Sequence, residues 1–308
     1  MDHSNEGFET PVNLSPIVLF AYRRADHTSR ALAALSSNPE ARDSDLYVFA
    51  DGAKGEADRA GVEATRALFG RDWGFKSLRV AERERNWGLA RNVVDGLERV
   101  IGERGRAIVL EDDIEVSPAF LEYMNRGLEL YADDPSVASI HGYVYPHDGK
   151  LPETFFLRGA DCWGWATWER SWRHYEADAA LLESRLRSCP WGNEFDFDRS
   201  YPYRRMLREA GAGRVDSWAV RWYASAFLAG MYTLYPGSSL ARNIGHDGSG
   251  THGGASGAYE VPLASSCPPM DRLEPRTDPD GYRAFRGYFL SLRPSLWTRL
   301  GRRLGWRA

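Results

Sequence analysis

Short apolar runs alternate with stretches in which apolar side chains recur every three or four positions along the first half of this chain. Pro16 to Tyr22, Leu46 to Ala50, Ser77 to Ala81, Ala107 to Leu110 and Ser136 to Ile140 read as strands, several of them unbroken apolar runs of the kind buried on both faces. Helical stretches lie between them. One carries Ala31, Leu32 and Leu35 with Thr28 as its cap, one covers residues 55–69, and one has Leu89, Val93, Leu97 and Val100 on a single face. A further one carries Leu121, Met124, Leu128 and Tyr131, with Ser117 suited to its N-cap and Pro118 to its first helical position. Strand and helix alternating in this way predict a doubly wound α/β fold.

After residue 140 the alternation stops. Phe155 to Arg158 predicts one more strand, and residues 167–175, 178–187, 200–210 and 218–229 predict helices. Residues 242–258 form a glycine-rich polar loop, expensive to order and therefore suited to a lid or ligand clamp. The expected organisation is a disordered segment over 1–15, a single domain over 16–267 with halves at 16–140 and 141–267, and a proline-rich linker leading into a basic tail over 268–308.

Composition narrows the classes. Of 308 residues, 43% are hydrophobic and 27% charged, which is ordinary for a globular protein, and a net charge of −4 gives no reason to expect a nucleic-acid partner. Cys162, Cys189 and Cys267 are scattered without metal-ligand spacing and fit a reducing compartment. Residues 1–15 have no apolar core resembling a signal peptide, and no apolar run approaches the ~20 residues that span a bilayer, so a cytoplasmic protein is expected. Seven arginines and no acid lie between Gly281 and Ala308, among Phe285, Phe289, Leu296, Trp297 and Trp306. Two readings of that tail stand: peripheral contact with an anionic membrane face, or a helix packed on the body with its arginines solvated.

The candidate chemistry gathers at the ends of strands. Glu111-Asp112-Asp113 follows the run ending at Leu110, at the carboxyl edge where open α/β sheets bind ligands. Adjacent carboxylates repel, and a hard divalent cation carrying a diphosphate is a common compensation, while a solvated acidic turn is the plain alternative. Arg24 follows the first strand, where a guanidinium can take a phosphate bidentately or equally sit in a solvated loop. Asp51 ends the second strand and can accept a hydrogen bond from a base or sugar, with a plain Asp-Gly turn as the alternative. Asn86 and Asn92 flank a helix start that can face a nucleotide, with helix capping as the plain alternative for Asn86.

These blocks carry a resemblance. Ile108 to Met124 looks like the corresponding stretch of the Golgi N-acetylglucosaminyltransferases that begin hybrid and complex N-glycans: an apolar strand ending in Glu-Asp-Asp, then an acid, a proline, and a helix with an aromatic pair. More broadly the chain resembles bacterial family-2-like glycosyltransferases of the GT-A fold, with matching blocks in order over residues 16 to 252, strongest at the triplet and good at Asp161 to Trp165 and Asn243 to His252. The resemblance implies an α/β GT-A domain, with a Rossmann-like nucleotide-binding half on a mixed central sheet and a helical and loop half for the acceptor. It implies a metal-dependent, inverting transfer from a nucleotide-sugar, UDP-sugar favoured, to a glycan or lipid-linked acceptor.

Residue by residue, it implies Asp113 as ligand of Mn²⁺ or Mg²⁺, with Asp112 and Glu111 reaching the ribose and the transferred sugar. It implies Asp51 on the uracil and Arg24 near the base and phosphates. The family's catalytic base lies in an Asp-Asp-Trp motif. The matching order here is Asp216-Ser217-Trp218, which makes Asp216 the expected base although Ser217 replaces the second aspartate, with Asp161 in reserve. His252 is expected on the metal or diphosphate, with His246 and Asp247 behind it. Trp163, Trp165 and Trp168 are either sugar platforms or core.

Two other readings remain: a catalytically inactive GT-A scaffold that binds nucleotide-sugar, and a sugar-1-phosphate nucleotidyltransferase. The second needs a glycine-rich loop after the first strand, and Tyr22 to Thr28 contains no glycine.

Overall fold

The structure is a computed structural model that describes residues 14–248 and 257–293. In chain order its elements are β1 (Ile17–Ala21), α1 (Ala25–Ser36), β2 (Asp45–Ala50), α2 (Glu56–Ala67), β3 (Ser77–Glu82), α3 (Leu89–Arg104), β4 (Arg106–Glu111), β5 (Ile114–Val116), α4 (Phe120–Leu130) and β6 (Val137–His141). There follow β7 (Thr154–Arg158), β8 (Trp165–Trp168), α5 (Glu169–Trp172), α6 (Ala179–Arg187), α7 (Tyr203–Gly211), α8 (Trp218–Leu228), β9 (Tyr232–Pro236), β10 (Ala241–Asn243) and α9 (Pro279–Ser291). Eight strands form one mixed sheet in the order β3-β2-β1-β4-β8-β6-β9-β7, with β10 and β5 paired apart from it.

The first four strands are parallel to one another, Ile17 standing beside Leu46 on one side and Ile108 on the other. β8 then runs antiparallel to both β4 and β6. Alternate residues of β1 feed two cores. Ile17 and Leu19 pack with Leu32 and Leu35 of α1 and with Leu121, Met124 and Leu128 of α4. Val18 and Phe20 pack on the other face with Val93, Leu97 and Val100 of α3 and with Trp218 and Trp222 of α8. This two-sided burial is why β1, β2 and β4 read as unbroken apolar runs. α3 approaches closely because Gly96 rests on the rings of Phe20 and Phe49, where a Cβ would lie 2.7 Å from Phe20.

Several expectations are corrected in detail. α1 begins before Thr28, which sits in its first turn and returns its hydroxyl to the Arg24 carbonyl at 2.9 Å. Leu89 is exposed, so the buried face of α3 starts at Ala90 and Val93. The triplet is not followed at once by a helix: β5 intervenes, and Ser117-Pro118-Ala119 form a turn before α4 starts at Phe120. Trp165 to Trp168 is a strand buried on both faces rather than the approach to a helix, and β9 and β10 carry no strong periodicity of their own.

The segment over 268–291 is bound into the body. α9 inserts Phe285 and Phe289, each 1% exposed, among Tyr145, Phe155, Phe197 and Tyr201. It covers three successive non-glycine residues in the left-handed region, Phe197, Asp198 and Arg199. Each such residue costs on the order of 1 kcal/mol or more, offset here by packing of Phe197 on Tyr282 and by Arg293, which donates to the Arg199 and Ser200 carbonyls. Arg283 and Arg286 point outward and pair with Asp280 and Asp198. The apolar face of this part of the tail is therefore spent on the core; residues 294–308 lie outside the described residues. Among the described residues no helix is long and apolar enough to cross a membrane. Of the N-terminal segment, Ser15 is buried, its N–H donating to Asn125 Oδ1 at 2.8 Å, and residues 1–13 lie outside the described residues.

Phe285→Ala is expected to cost about 3–5 kcal/mol, as for a fully buried phenylalanine. Urea unfolding of the whole chain measures this, and a loss below about 1 kcal/mol would show that α9 is not part of the core.

Candidate active site

In the parallel half of the sheet the chain leaves β1 for β2 on one side and returns to β4 on the other, so a crevice opens beyond the carboxyl ends of β1 and β4. Arg24 follows β1 and the triplet follows β4. The Arg24 Nη2 donates to Asp112 Oδ1 at 2.6 Å and to Asp113 Oδ2 at 2.8 Å, and the Tyr22 N–H donates to Asp112 Oδ2 at 3.2 Å. One guanidinium thus bridges two of the three adjacent acids, and their charge holds it protonated. Glu111 pairs with no arginine among the described residues. Burial, then repulsion from Asp113 and Asp112, pushes its carboxyl up to about 8, and Arg24 and a hydrogen bond from the Trp218 indole only partly offset this. Burial also raises Asp112, against the pull of Arg24.

β5 pairs antiparallel with β10, Asn243 beside Ile114, and this pairing lays the start of the glycine-rich loop over the triplet. The Ile244 N–H donates to the Asp113 carbonyl at 2.8 Å. Gly245 then crosses directly above the side chains: a Cβ there would overlap Asp113 Oδ2 and lie 2.8 Å from Arg24 Nη1. His27 Nε2 meets the Ile244 carbonyl and Asp247 Oδ2, each at 3.2 Å. His246 stacks on Tyr259 at 4.7 Å, with Trp163 edge-on to both. His252 lies outside the described residues.

Asp51 is 5% exposed, and its carboxylate accepts four N–H donors: Gly52 and Trp87 on Oδ1, Asn86 and Gly88 on Oδ2, all within 3.0 Å. Those bonds fill the four lone-pair sites of a carboxylate, so Asp51 shapes the 86–88 loop instead of presenting an open acceptor to a base. Asn86 takes part in that brace and also donates to the Gly52 carbonyl at 2.9 Å. The helix cap falls to Gly88, at φ 80°. Asn92 is buried and ties α3 to the sheet, accepting from Arg83 and donating to the Phe49 carbonyl.

The two candidate bases stand in unlike surroundings. Asp216 precedes α8, its side chain 72% exposed and paired with Arg221 at 2.7 Å. Asp161, Cys162 and Trp163 form a partly exposed window between buried Gly159-Ala160 and buried Gly164-Trp165. Asp161 Oδ2 accepts from the Tyr235 hydroxyl at 3.0 Å, and burial raises its carboxyl to about 6. Burial pushes the Cys162 thiol up. Trp163 packs edge-on to His246, the neighbour of the Gly245 that crosses above Asp113, and this contact brings the 161–163 window to the triplet's side. Trp165 and Trp168 are core: the first packs on Trp172, Trp218 and Trp222, and the second donates its indole N–H to the Leu128 carbonyl. Trp163 alone of the three is placed to meet a ligand.

The structure therefore unites Arg24, Glu111, Asp112 and Asp113, sets Asp51 and Asn86 at the neighbouring strand end, and leaves Asn92 in the core. Gly245, Trp218 and Tyr235 complete the site. They reach it from distant positions in the chain: Gly245 from the loop expected to act as a lid or clamp, Trp218 from the Asp216-Ser217-Trp218 block, and Tyr235 from a stretch with no local sign. Among the described residues no group of three His, Cys, Asp or Glu side chains is gathered to hold a metal ion. The donor set still suits a hard cation that arrives with a diphosphate. Asp113 stands at the mouth of the crevice, its side chain 15% exposed, and its Oδ1 accepts no hydrogen bond among the described residues.

Because the folded state raises the Glu111 carboxyl from 4.5 to about 8, the folded chain keeps a proton that the unfolded chain releases. This acid therefore leaves stability intact below about pH 4.5 and lowers it progressively as pH rises toward 8. Glu111→Gln keeps an acceptor for Trp218 and removes the titration. At pH 8.5 the variant should melt a few degrees higher than the parent, roughly 2–4 °C per kcal/mol, and the gap should close by pH 5. A gap independent of pH in thermal melts would contradict the assignment.

Known proteins add no family to this picture: no protein-family model matches the chain, and no curated protein matches it significantly.

Proposed function

We propose that the chain is a metal-dependent, inverting glycosyltransferase of the GT-A type, transferring a sugar from a nucleotide-sugar, UDP-sugar favoured, to a glycan or lipid-linked acceptor in polysaccharide or glycoconjugate synthesis in the cytoplasm. The observation that carries the reading is the junction of Arg24, Asp112 and Asp113 in the crevice between β1 and β4, roofed by Gly245. Ligands of open α/β sheets bind in that crevice, and a diphosphate needs the two kinds of group found there: a fork of N–H donors and a carboxylate for its counter-cation.

In this reading Asp113 holds Mn²⁺ or Mg²⁺ through its open oxygen, and Arg24 turns its remaining donors to the phosphates. The cation, when bound, supplies charge stabilisation for the departing nucleoside diphosphate. Asp112, fixed by Tyr22 and Arg24, and Glu111, fixed by Trp218, face the ribose and the sugar. The nucleoside lies toward the end of β2, where Asp51 and Asn86 brace the 86–88 loop that forms its wall.

Calorimetric titration of UDP tests the proposal. Wild type should bind in the presence of Mn²⁺, and either leaving out the metal or Asp113→Ala should weaken binding at least tenfold, about 1.4 kcal/mol. Failure to bind UDP, GDP or dTDP with metal present would overturn it. Binding that depends on metal and Asp113, without turnover of any donor, would identify the inactive scaffold instead.

A further inference from the structure

Inversion requires a group that takes the proton of the attacking hydroxyl, and the motif order pointed to Asp216. The surroundings of the two aspartates point elsewhere. Asp216 is largely in solvent, and its carboxylate is engaged by Arg221. Asp161 lies in the partly exposed window before β8 that Trp163 joins to His246 and the Gly245 roof of Asp113, with one oxygen fixed by Tyr235 and the other accepting no hydrogen bond among the described residues. Tyrosines 143, 145, 201, 203 and 223 stand around it, each with a hydroxyl that feels its charge, and no arginine or lysine pairs with it among the described residues. An anchored carboxylate with a free oxygen, partly exposed among tyrosines, is what a base needs to meet a sugar hydroxyl in a fixed direction.

We propose that Asp161 is the catalytic base of the transfer, an inference that rests on the function proposed above. The free Oδ1 takes the proton of the acceptor hydroxyl as that oxygen bonds to the anomeric carbon. The bond from that carbon to the diphosphate oxygen breaks at the same time, and its electron pair leaves on the nucleoside diphosphate. Tyr235 is the positioning residue, holding Oδ2 and leaving Oδ1 to take the proton. The carboxyl's rise to about 6 matches this task, since a base with a pKa near neutrality is still ionised at pH 7 and accepts a proton more readily than an ordinary aspartate.

The test measures hydrolysis of UDP-glucose, UDP-galactose and UDP-N-acetylglucosamine, with water as acceptor and Mn²⁺ present, alongside calorimetric binding of UDP. Asp161→Asn is expected to bind UDP as wild type does while hydrolysis falls about a hundredfold or more, and Asp161→Glu to recover part of the loss. Retained UDP binding shows that the variant is folded with its donor site intact. Hydrolysis undiminished in Asp161→Asn, or lost instead in Asp216→Asn, would overturn the assignment and leave the proposed function standing. A wild type that binds UDP and hydrolyses none of the three donors would also overturn the assignment, since a poised base activates water. No UDP binding by wild type would sink the parent reading, and this inference with it.

Discussion

Three neighbouring carboxylates at the end of one strand are the constraint on which this site turns. Two unit charges about 4 Å apart repel by roughly 4 kcal/mol in surroundings of intermediate polarity, so Glu111, Asp112 and Asp113 cannot all be ionised there without compensation. The fold supplies it unevenly. Arg24, carried in by the strand alongside, takes Asp112 and Asp113, while Glu111 is left to hold its proton up to about pH 8. β1 and β4 must be neighbours and parallel for that guanidinium to arrive, and the β5–β10 pair must sit above for Gly245 to close over it. The result is a charged junction complete in itself, at the crevice beyond the carboxyl ends of β1 and β4.

The rest of the molecule holds that junction still. The two cores on the faces of β1 fix α1 and α3, and through them Arg24 and the 86–88 loop. Asp51 spends its whole hydrogen-bonding capacity on that loop, a burial tolerable only because every lone pair is met. At the β7 edge of the sheet α9 clamps the left-handed residues at 197–199 and joins the aromatic packing of Tyr201 and Tyr282.

Much of the first half was legible because burial on both faces leaves unbroken apolar runs, and helices packed on them keep their period. β5 and β10 are three residues each and hold by pairing with one another, so neither shows a pattern of its own. β8 was missed, its last two residues falling in the helix expected over 167–175, because a doubly buried strand of Trp, Ala and Thr has no alternation to betray it. At the site, Arg24 and the triplet could be found from their place at strand ends. The role of Asp51 could not, since its four partners become visible only when the chain folds back. Motif order favoured Asp216 over Asp161, and what separates them, exposure with an arginine partner against enclosure with a tyrosine anchor, belongs to the folded chain alone.

If Arg24 and Asp113 share a diphosphate and its cation, a crystal structure with UDP and Mn²⁺, the metal located by anomalous scattering, is the decisive measurement. Manganese is expected at bonding distance from an Asp113 oxygen and from the diphosphate, with Arg24 donating to phosphate. Manganese elsewhere, with Arg24 still bridging Asp112 and Asp113 and no nucleotide in the crevice, would contradict it.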